Sequence, residues 1–282
     1  MTWPAPDSSS NIATTNTDAS TDSPASARTD VLSLINEVNS LKALVNSIIN
    51  YGDPKVIPPG RLIKTTIYSG AALGSTLTGT FTPQAATTFL IVEVQGGGGP
   101  GCRVTPAGSA SFHCMGGGGY SGAYCKALIT SGFSSVAYSV GGGGSAGAGV
   151  ASSFGSLVVC AGGSSFTQSA SNTLPVISSG AAPSSGITLS GATALDLVES
   201  RVGGVGVAHA SNIGYTGAGA SSRMGAGGPS VALYGSTGIG NGNAASGFGA
   251  GGSGSYVLGN STTPFILGGA GSGGCIVVYE YS

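Results

Sequence analysis

Phe89-Leu90-Ile91-Val92-Glu93-Val94-Gln95-Gly96-Gly97-Gly98-Gly99 joins the most apolar short run of the chain to four consecutive glycines. The first six residues predict a strand, apolar enough to be buried on both faces. The four glycines carry no side chain, so a backbone there can lie directly against another backbone. Read outward from this junction, the pattern stays β. Arg61 to Ser69, Thr76 to Thr82, Tyr120 to Thr130, Ser134 to Val140, Phe154 to Cys160 and Cys275 to Tyr281 bring the expected set to at least seven short strands. Many short strands punctuated by glycine-rich turns predict a mainly β, sandwich-like head with glycine-rich extended loops, not an α/β fold.

Glycine is unevenly spread. None of the 53 glycines lies in the first 50 residues, and the composition changes abruptly at Tyr51-Gly52-Asp53-Pro54. Between Phe166 and Gly274 the glycines come in runs, at 203–204, 225–228, 238–242, 249–254 and 268–274. They do not recur at every third position, which excludes a collagen triple helix. A flexible loop of over a hundred residues is uncommon in a compact domain. The region is therefore expected to hold ordered, closely packed extended segments that build the apical surface. Strand, polyproline II and loop remain open for these runs.

Before the boundary the reading is helical. Ser23-Pro24 supplies an N-cap serine followed by proline at the first helical position. Val31, Leu34, Val38, Leu41, Val45 and Ile48 then alternate in steps of three and four. This is an a/d seam, which buries itself against copies of the same helix, and its mixture of Val, Leu and Ile does not select dimer over trimer. Residues 23–51 are read as a coiled-coil helix and 52–60, with three prolines, as a stiff elbow. Residues 61–282 are read as the head. Residues 1–22 are polar and too poor in apolar surface to fold alone. They are expected to form an extended docking arm anchored by Trp3.

Composition removes several function classes. Charged residues make up 7 % of the chain. Residues 1–53 carry six acids against two bases, and the rest seven bases against four acids. Neither half has the dense basic patch of a nucleic-acid binder. No apolar run is long enough to span a membrane, and the N-terminus lacks the basic-then-apolar pattern of an export signal. Cys102, Cys114, Cys125, Cys160 and Cys275 are odd in number with no C-x-x-C spacing. Reduced, buried thiols in a cytoplasmically folded protein are expected.

Candidate chemistry is thin. Gly247-x-Gly249-x-x-Gly252 spells the dinucleotide fingerprint but follows no apolar strand and opens no helix. Gly143-Gly144-Ser145-Ala146-Gly147 spells a nucleophile elbow without its helix, with His113 and His209 as the available bases. A glycosidase needs two carboxylates across a cleft. The head offers Glu93 and Glu280 in strands, and Asp196 and Glu199 on a possible helical turn beside Arg201, where a local ion pair is the expected use. His113, Cys114 and Cys102 lack the usual zinc spacing. No catalytic, cofactor or metal residue is assigned. What remains is a contact surface. Tyr215, Tyr234, Phe248, Tyr256 and Phe265 stand singly among small residues, as in antibody-like loops where rigid rings supply contact area at low entropy cost. Arg201, His209 and Arg223 are the polar candidates. The same rings could instead pin glycine segments to the core.

Six motifs occur in order: Gly79-Thr80-Phe81-Thr82-Pro83, Leu90 to Gly99, Gly116 to Tyr124, Tyr138 to Gly144, Ser153 to Leu157, and Gly273 to Tyr281. Over about residues 60–165 and 268–282 they resemble the glycine-rich C-terminal domain of tailed-bacteriophage tail fibres. Residues 166–267 match only in glycine richness. Asp22 to Asp30 leading into a heptad helix is also similar to phage tail proteins. The resemblance implies a homotrimeric virion protein, attached to the tail or baseplate through its N-terminus. Its head would recognise a bacterial surface glycan, outer-membrane protein or pilus protein. Such fibres often carry a long shaft, whereas here a short coil passes straight to the head.

Overall fold

A computed structural model describes residues 35–42, 60–105, 113–165, 168–171, 173–178, 186–234, 238–258 and 265–282. The chain divides into two units, Met1–Arg61 and Leu62–Ser282. In the first, residues 35–42 are helical. Val38 is 40 % and Leu41 60 % exposed. Val31, Leu34, Val45, Ile48, Trp3 and elbow residues 52–59 lie outside the described residues, among which a single short helix, and no coiled coil, is seen.

The second unit is mainly β, in several antiparallel sheets. Two five-stranded sheets form its base. One runs, in spatial order, Leu62–Ser69, Cys275–Tyr281, Phe89–Gln95, Tyr124–Ile129 and Thr193–Val198. The other runs Ile187–Leu189, Val158–Cys160, Ser152–Phe154, Val136–Gly141 and Thr76–Phe81. Alternate residues of each sheet, among them Leu90, Val92, Val94, Ile276 and Val278 facing Phe81, Val140, Phe154 and Val158, make one buried core. The central strand Phe89–Gln95 thus obeys the period-two rule, with Leu90, Val92 and Val94 inward and Glu93 outward toward Lys126. Glu280 faces inward at the end of this core. Its Oε2 accepts the Gln84 N–H at 2.7 Å and the Thr87 hydroxyl at 2.9 Å, which fastens the 82–88 connection.

Several boundaries differ from expectation. The strand placed at Tyr120 begins at Tyr124, because residues 116–123 bond to several separate segments instead of one ladder partner. Phe154 to Cys160 is two strands, folded at Gly155 with φ +55°. Asp196 lies on the strand Thr193–Val198, not on a helical turn, and its ion pair is with Arg223 at 3.5 Å, not with Arg201. Pairing with Lys126 and Cys125 across the sheet outweighs the weak local preference of a short segment.

The glycine runs continue the base strands, and their hydrogen bonds reveal a repeat. The N–H groups of Gly96, Gly99 and Cys102 donate to the carbonyls of Ala123, Tyr120 and Gly117. Those of Gly98, Gly101 and Val104 donate to Ser272, Gly269 and Ile266. Gly116, Gly119 and Gly122 donate to Ser255, Gly252 and Gly249. Every third residue addresses the same neighbour, and intervening residues address others. A backbone that returns to the same direction every three residues, with its hydrogen bonds all made to other segments, has the polyproline II repeat. The runs form a lattice in which each is surrounded by others, both parallel and antiparallel.

The lattice explains why glycine fills these positions. A methyl group on Gly98 would stand 1.9 Å from the carbonyl oxygen of Ala250, and one on Gly118 1.8 Å from that of Ala218. Neither glycine has a positive φ, so the requirement is close approach and not backbone freedom. Short hydroxyl side chains complete the network where no carbonyl is in reach. Ser152 Oγ accepts the Gly141 N–H at 3.0 Å, Ser253 Oγ that of Asn243 at 2.7 Å, and Ser272 Oγ that of Ala250 at 2.8 Å. Gln95, fully buried at the end of the decisive stretch, donates from Nε2 to the carbonyls of Gly122 and Ala123, tying base to lattice.

Candidate functional site: the outer face of the far sheet

Run 96–104 leads away from the base, and the segments beyond its far end form smaller sheets. One consists of Val176–Ile177, Val207–Ala210, Ile213–Tyr215 and Ala232–Tyr234, in that order. Its inner face places Val176, Ala208 and Leu233 against Met115, Tyr256 and Leu258. Alternation then sends Ile177, His209, Ile213, Tyr215 and Tyr234 outward. Solvent-facing positions of a small sheet are ordinarily polar. Here Tyr234 is 87 %, Ile177 57 % and Tyr215 44 % exposed, and Ile213 is also exposed.

Register brings these residues together. Ile213 stands directly opposite Tyr234, and Tyr215 opposite both Val207 and Ala232. The His209 and Tyr215 rings are 6.2 Å apart and tilted by 48°. The face therefore combines large exposed rings, aliphatic surface and one imidazole on a hydrogen-bonded sheet. Behind it, Gly217 and Ala220 donate into run 116–123, and Thr216 and Gly219 bond to Val231 and Gly228. The strands carrying Tyr215 and Tyr234 thus grow directly out of the lattice.

The predicted contact residues separate into groups. His209, Tyr215 and Tyr234 share this face. Tyr256 is 8 % exposed and packs in the core beneath the sheet, so its ring is a packing element. Phe248 pairs with Met224 in a separate two-stranded sheet, and its carbonyl accepts the Ser222 hydroxyl. Arg223 is held beside the base by Asp196. Arg201 is exposed, and its backbone N–H donates to Ser121 Oγ at 2.9 Å. Phe265 is half-exposed beneath the guanidinium of Arg103, 5.4 Å from the ring centroid. Ile177 and Ile213 were not predicted. The period-two spacing of Ile213 and Tyr215 was the available signal, obscured because Gly214 reads as another turn glycine.

The weaker chemical candidates disperse. His113 and Cys114 are neighbours on one strand and so point to opposite sides. Among the described residues no group of three His, Cys, Asp or Glu could hold a metal. All five cysteines are buried and unpaired. Burial pushes the thiols of Cys102, Cys125 and Cys275 up to about 11, and those of Cys114 and Cys160 upward as well. Glu93 and Glu280 lie on opposite faces of their sheet. Gly247, inside the strand Ser246–Phe248, and Gly249, just after it, have φ of +72° and +70°, and no helix follows them. Ser145 sits on a bend, also without a following helix. No family model matches this chain, and no curated protein matches it significantly.

Proposed function

We propose that this chain is a non-enzymatic receptor-binding protein of a bacteriophage tail, present in the virion and displayed in three copies. The observation that carries this reading is the outer face of the far sheet. Exposed contiguous aromatic and aliphatic surface is a feature of interaction sites. Tyrosine on a rigid support gives contact area at little entropic cost. The lattice behind it fits the same purpose, since it fixes the face on a base without needing a large apolar core of its own.

The remaining parts fall into order around this face. Residues 23–51 join three copies through the seam Val31 to Ile48, and residues 1–22 dock on the tail or baseplate with Trp3 as anchor. Three modest faces on one axis then bind a bacterial surface with an avidity that no single face has. Their target is a surface glycan, or an outer-membrane or pilus protein. The resemblance of the six ordered motifs to glycine-rich tail-fibre domains supports the same reading.

The test is adsorption. Saturating purified full-length chain is expected to coat susceptible bacteria and to block attachment of the phage that carries it. Adsorption unchanged at saturation would overturn the receptor reading and leave a structural tail component.

A further inference from the structure

A second site lies on the flank of the lattice, where one run stops short. Runs 141–144 and 96–104 are both antiparallel to run 268–274 and therefore parallel to each other. Gly271 and Gly274 donate to Gly144 and Gly141, while Gly98 and Gly101 donate to Ser272 and Gly269. Gly144 N–H donates to Gly98 O at 2.8 Å. One repeat further on, a continuing run would donate from residue 147 to Gly101 O. Instead the chain bends at Ser145 to Gly147 and returns, with Gly149 bonded to Gly163 and Val150 to Gly142. Among the described residues no run fills the seat left by the missing one. It is a groove of about 380 Å³, within the usual range for ligand sites, lined by Pro100, Gly101, Arg103, Ser145, Ser165 and Gln168, among others.

The chemistry of this groove is specific. The carbonyls of Pro100 and Gly101 accept no hydrogen bond from any described residue. Hydroxyls line the groove from Ser145, Ser165 and Thr105. Gln168 uses Oε1 to accept the Thr105 N–H at 2.7 Å, which holds its amide in place. Arg103 is exposed, lies over Phe265, and has no carboxylate partner among the described residues. The sequence supplies none nearby, since no acidic residue occurs between Glu93 and Asp196 or between Glu199 and Glu280. Of the four acids in the second unit, Glu93 is paired with Lys126, Asp196 with Arg223, Glu280 is buried on Gln84 and Thr87, and Glu199 lines a different pocket with Ile187, Leu189 and Leu197.

A ligand complementary to this groove brings an anion for the guanidinium and several hydroxyls to bond with the serine and threonine hydroxyls and the backbone that line it. We infer that the groove binds an acidic saccharide, a pyranose bearing a carboxylate. The carboxylate takes the planar two-pronged geometry that arginine presents. Phe265, under the guanidinium at 5.4 Å, supports Arg103 from behind and so helps to hold it at the groove. This site is distinct from the far sheet, so its test separates the two readings.

Full-length protein is titrated with a set of hexuronate-containing trisaccharides and with their carboxyl-reduced neutral counterparts, followed by saturation-transfer NMR and calorimetry. At least one uronate trisaccharide is expected to bind, at least tenfold more tightly than its neutral counterpart, with affinity falling as salt is raised. Arg103→Gln, on an exposed side chain, should lower that affinity at least tenfold and remove the salt dependence, and Phe265→Ser should lower it several-fold. Tyr234→Ser should leave it unchanged, even where it abolishes cell binding. Binding that is equal for neutral and acidic sugars, or unaffected by Arg103→Gln, would overturn the inference. So would capture of an extended glycine-rich peptide in preference to every saccharide, or no binding of any uronate in the set.

Discussion

Replacing Gly98 by alanine tests the lattice where its geometry is tightest. The new methyl would lie 1.9 Å from Ala250 O, whereas ordinary contact begins at 3.4 Å, so run 96–104 must retreat by roughly 1.5 Å. That retreat strains three hydrogen bonds: Gly98 N–H to Ser272 O at 2.8 Å, Gly144 N–H to Gly98 O at 2.8 Å, and Gly252 N–H to Gly99 O at 3.0 Å. All exceed the usual bonding range once lengthened by more than half an ångström. Leaving a buried donor or acceptor unpaired costs about 1–3 kcal/mol. Two or three such losses amount to roughly 3–6 kcal/mol, against a gain of about 0.4–1 kcal/mol from the stiffer unfolded chain. At roughly 2–4 °C per kcal/mol for a unit of this size, Gly98→Ala should lower the thermal midpoint by about 10 °C. Gly147→Ala is the control. Nothing lies within 4 Å of its added methyl and its φ is not positive, so the midpoint should stay level or rise slightly. Paired melts by circular dichroism decide the matter. A midpoint for Gly98→Ala within about 2 °C of wild type, or equal losses for both variants, would refute the close-packing argument.

Three further outcomes follow from the same structure. Glu280→Ala leaves the Gln84 N–H and Thr87 hydroxyl without their acceptor, and urea unfolding should show a loss of about 2–4 kcal/mol, at the strength of charged hydrogen bonds. Burial pushes the thiols of Cys102, Cys125 and Cys275 up to about 11, from about 9 in the unfolded chain. Their protonated forms favour the native state, so this stability is complete below pH 9 and is lost as pH rises through 11. Cys125→Ala should flatten the decline in urea stability over that window, and an unchanged slope would show that the thiol does not contribute. For the heptads, sedimentation equilibrium should give three times 26.9 kDa for the full chain, and Leu34→Asp/Leu41→Asp should lower that mass.

The base was legible because burial imposes alternation. Leu90, Val92 and Val94 are inward and apolar, and their strand was placed within a residue of its observed bounds. Glycine richness revealed that the middle region is packed, since nothing else explains so many absent side chains in a compact unit. The threefold repeat was not legible. It resides in which N–H reaches which run, and glycine spacing does not encode it, because residues such as Pro100, Tyr120 and Ser253 occupy lattice positions too. Of the contact surface, composition pointed to Tyr215 and Tyr234 but equally to Tyr256. A lone tyrosine among small residues reads the same whether its neighbours fold over it or away from it. Only the register of the far sheet separates the exposed rings from the buried one.

The most direct test of the account compares fluorescently labelled full-length chain with its Tyr215→Ser/Tyr234→Ser variant on susceptible bacterial cells. Both side chains are exposed, so the fold should survive, which matching melts would verify. The account predicts at least a tenfold loss of cell binding in the variant at equal oligomeric mass. Undiminished binding by a correctly folded variant would contradict it, and would remove the far sheet from the contact surface.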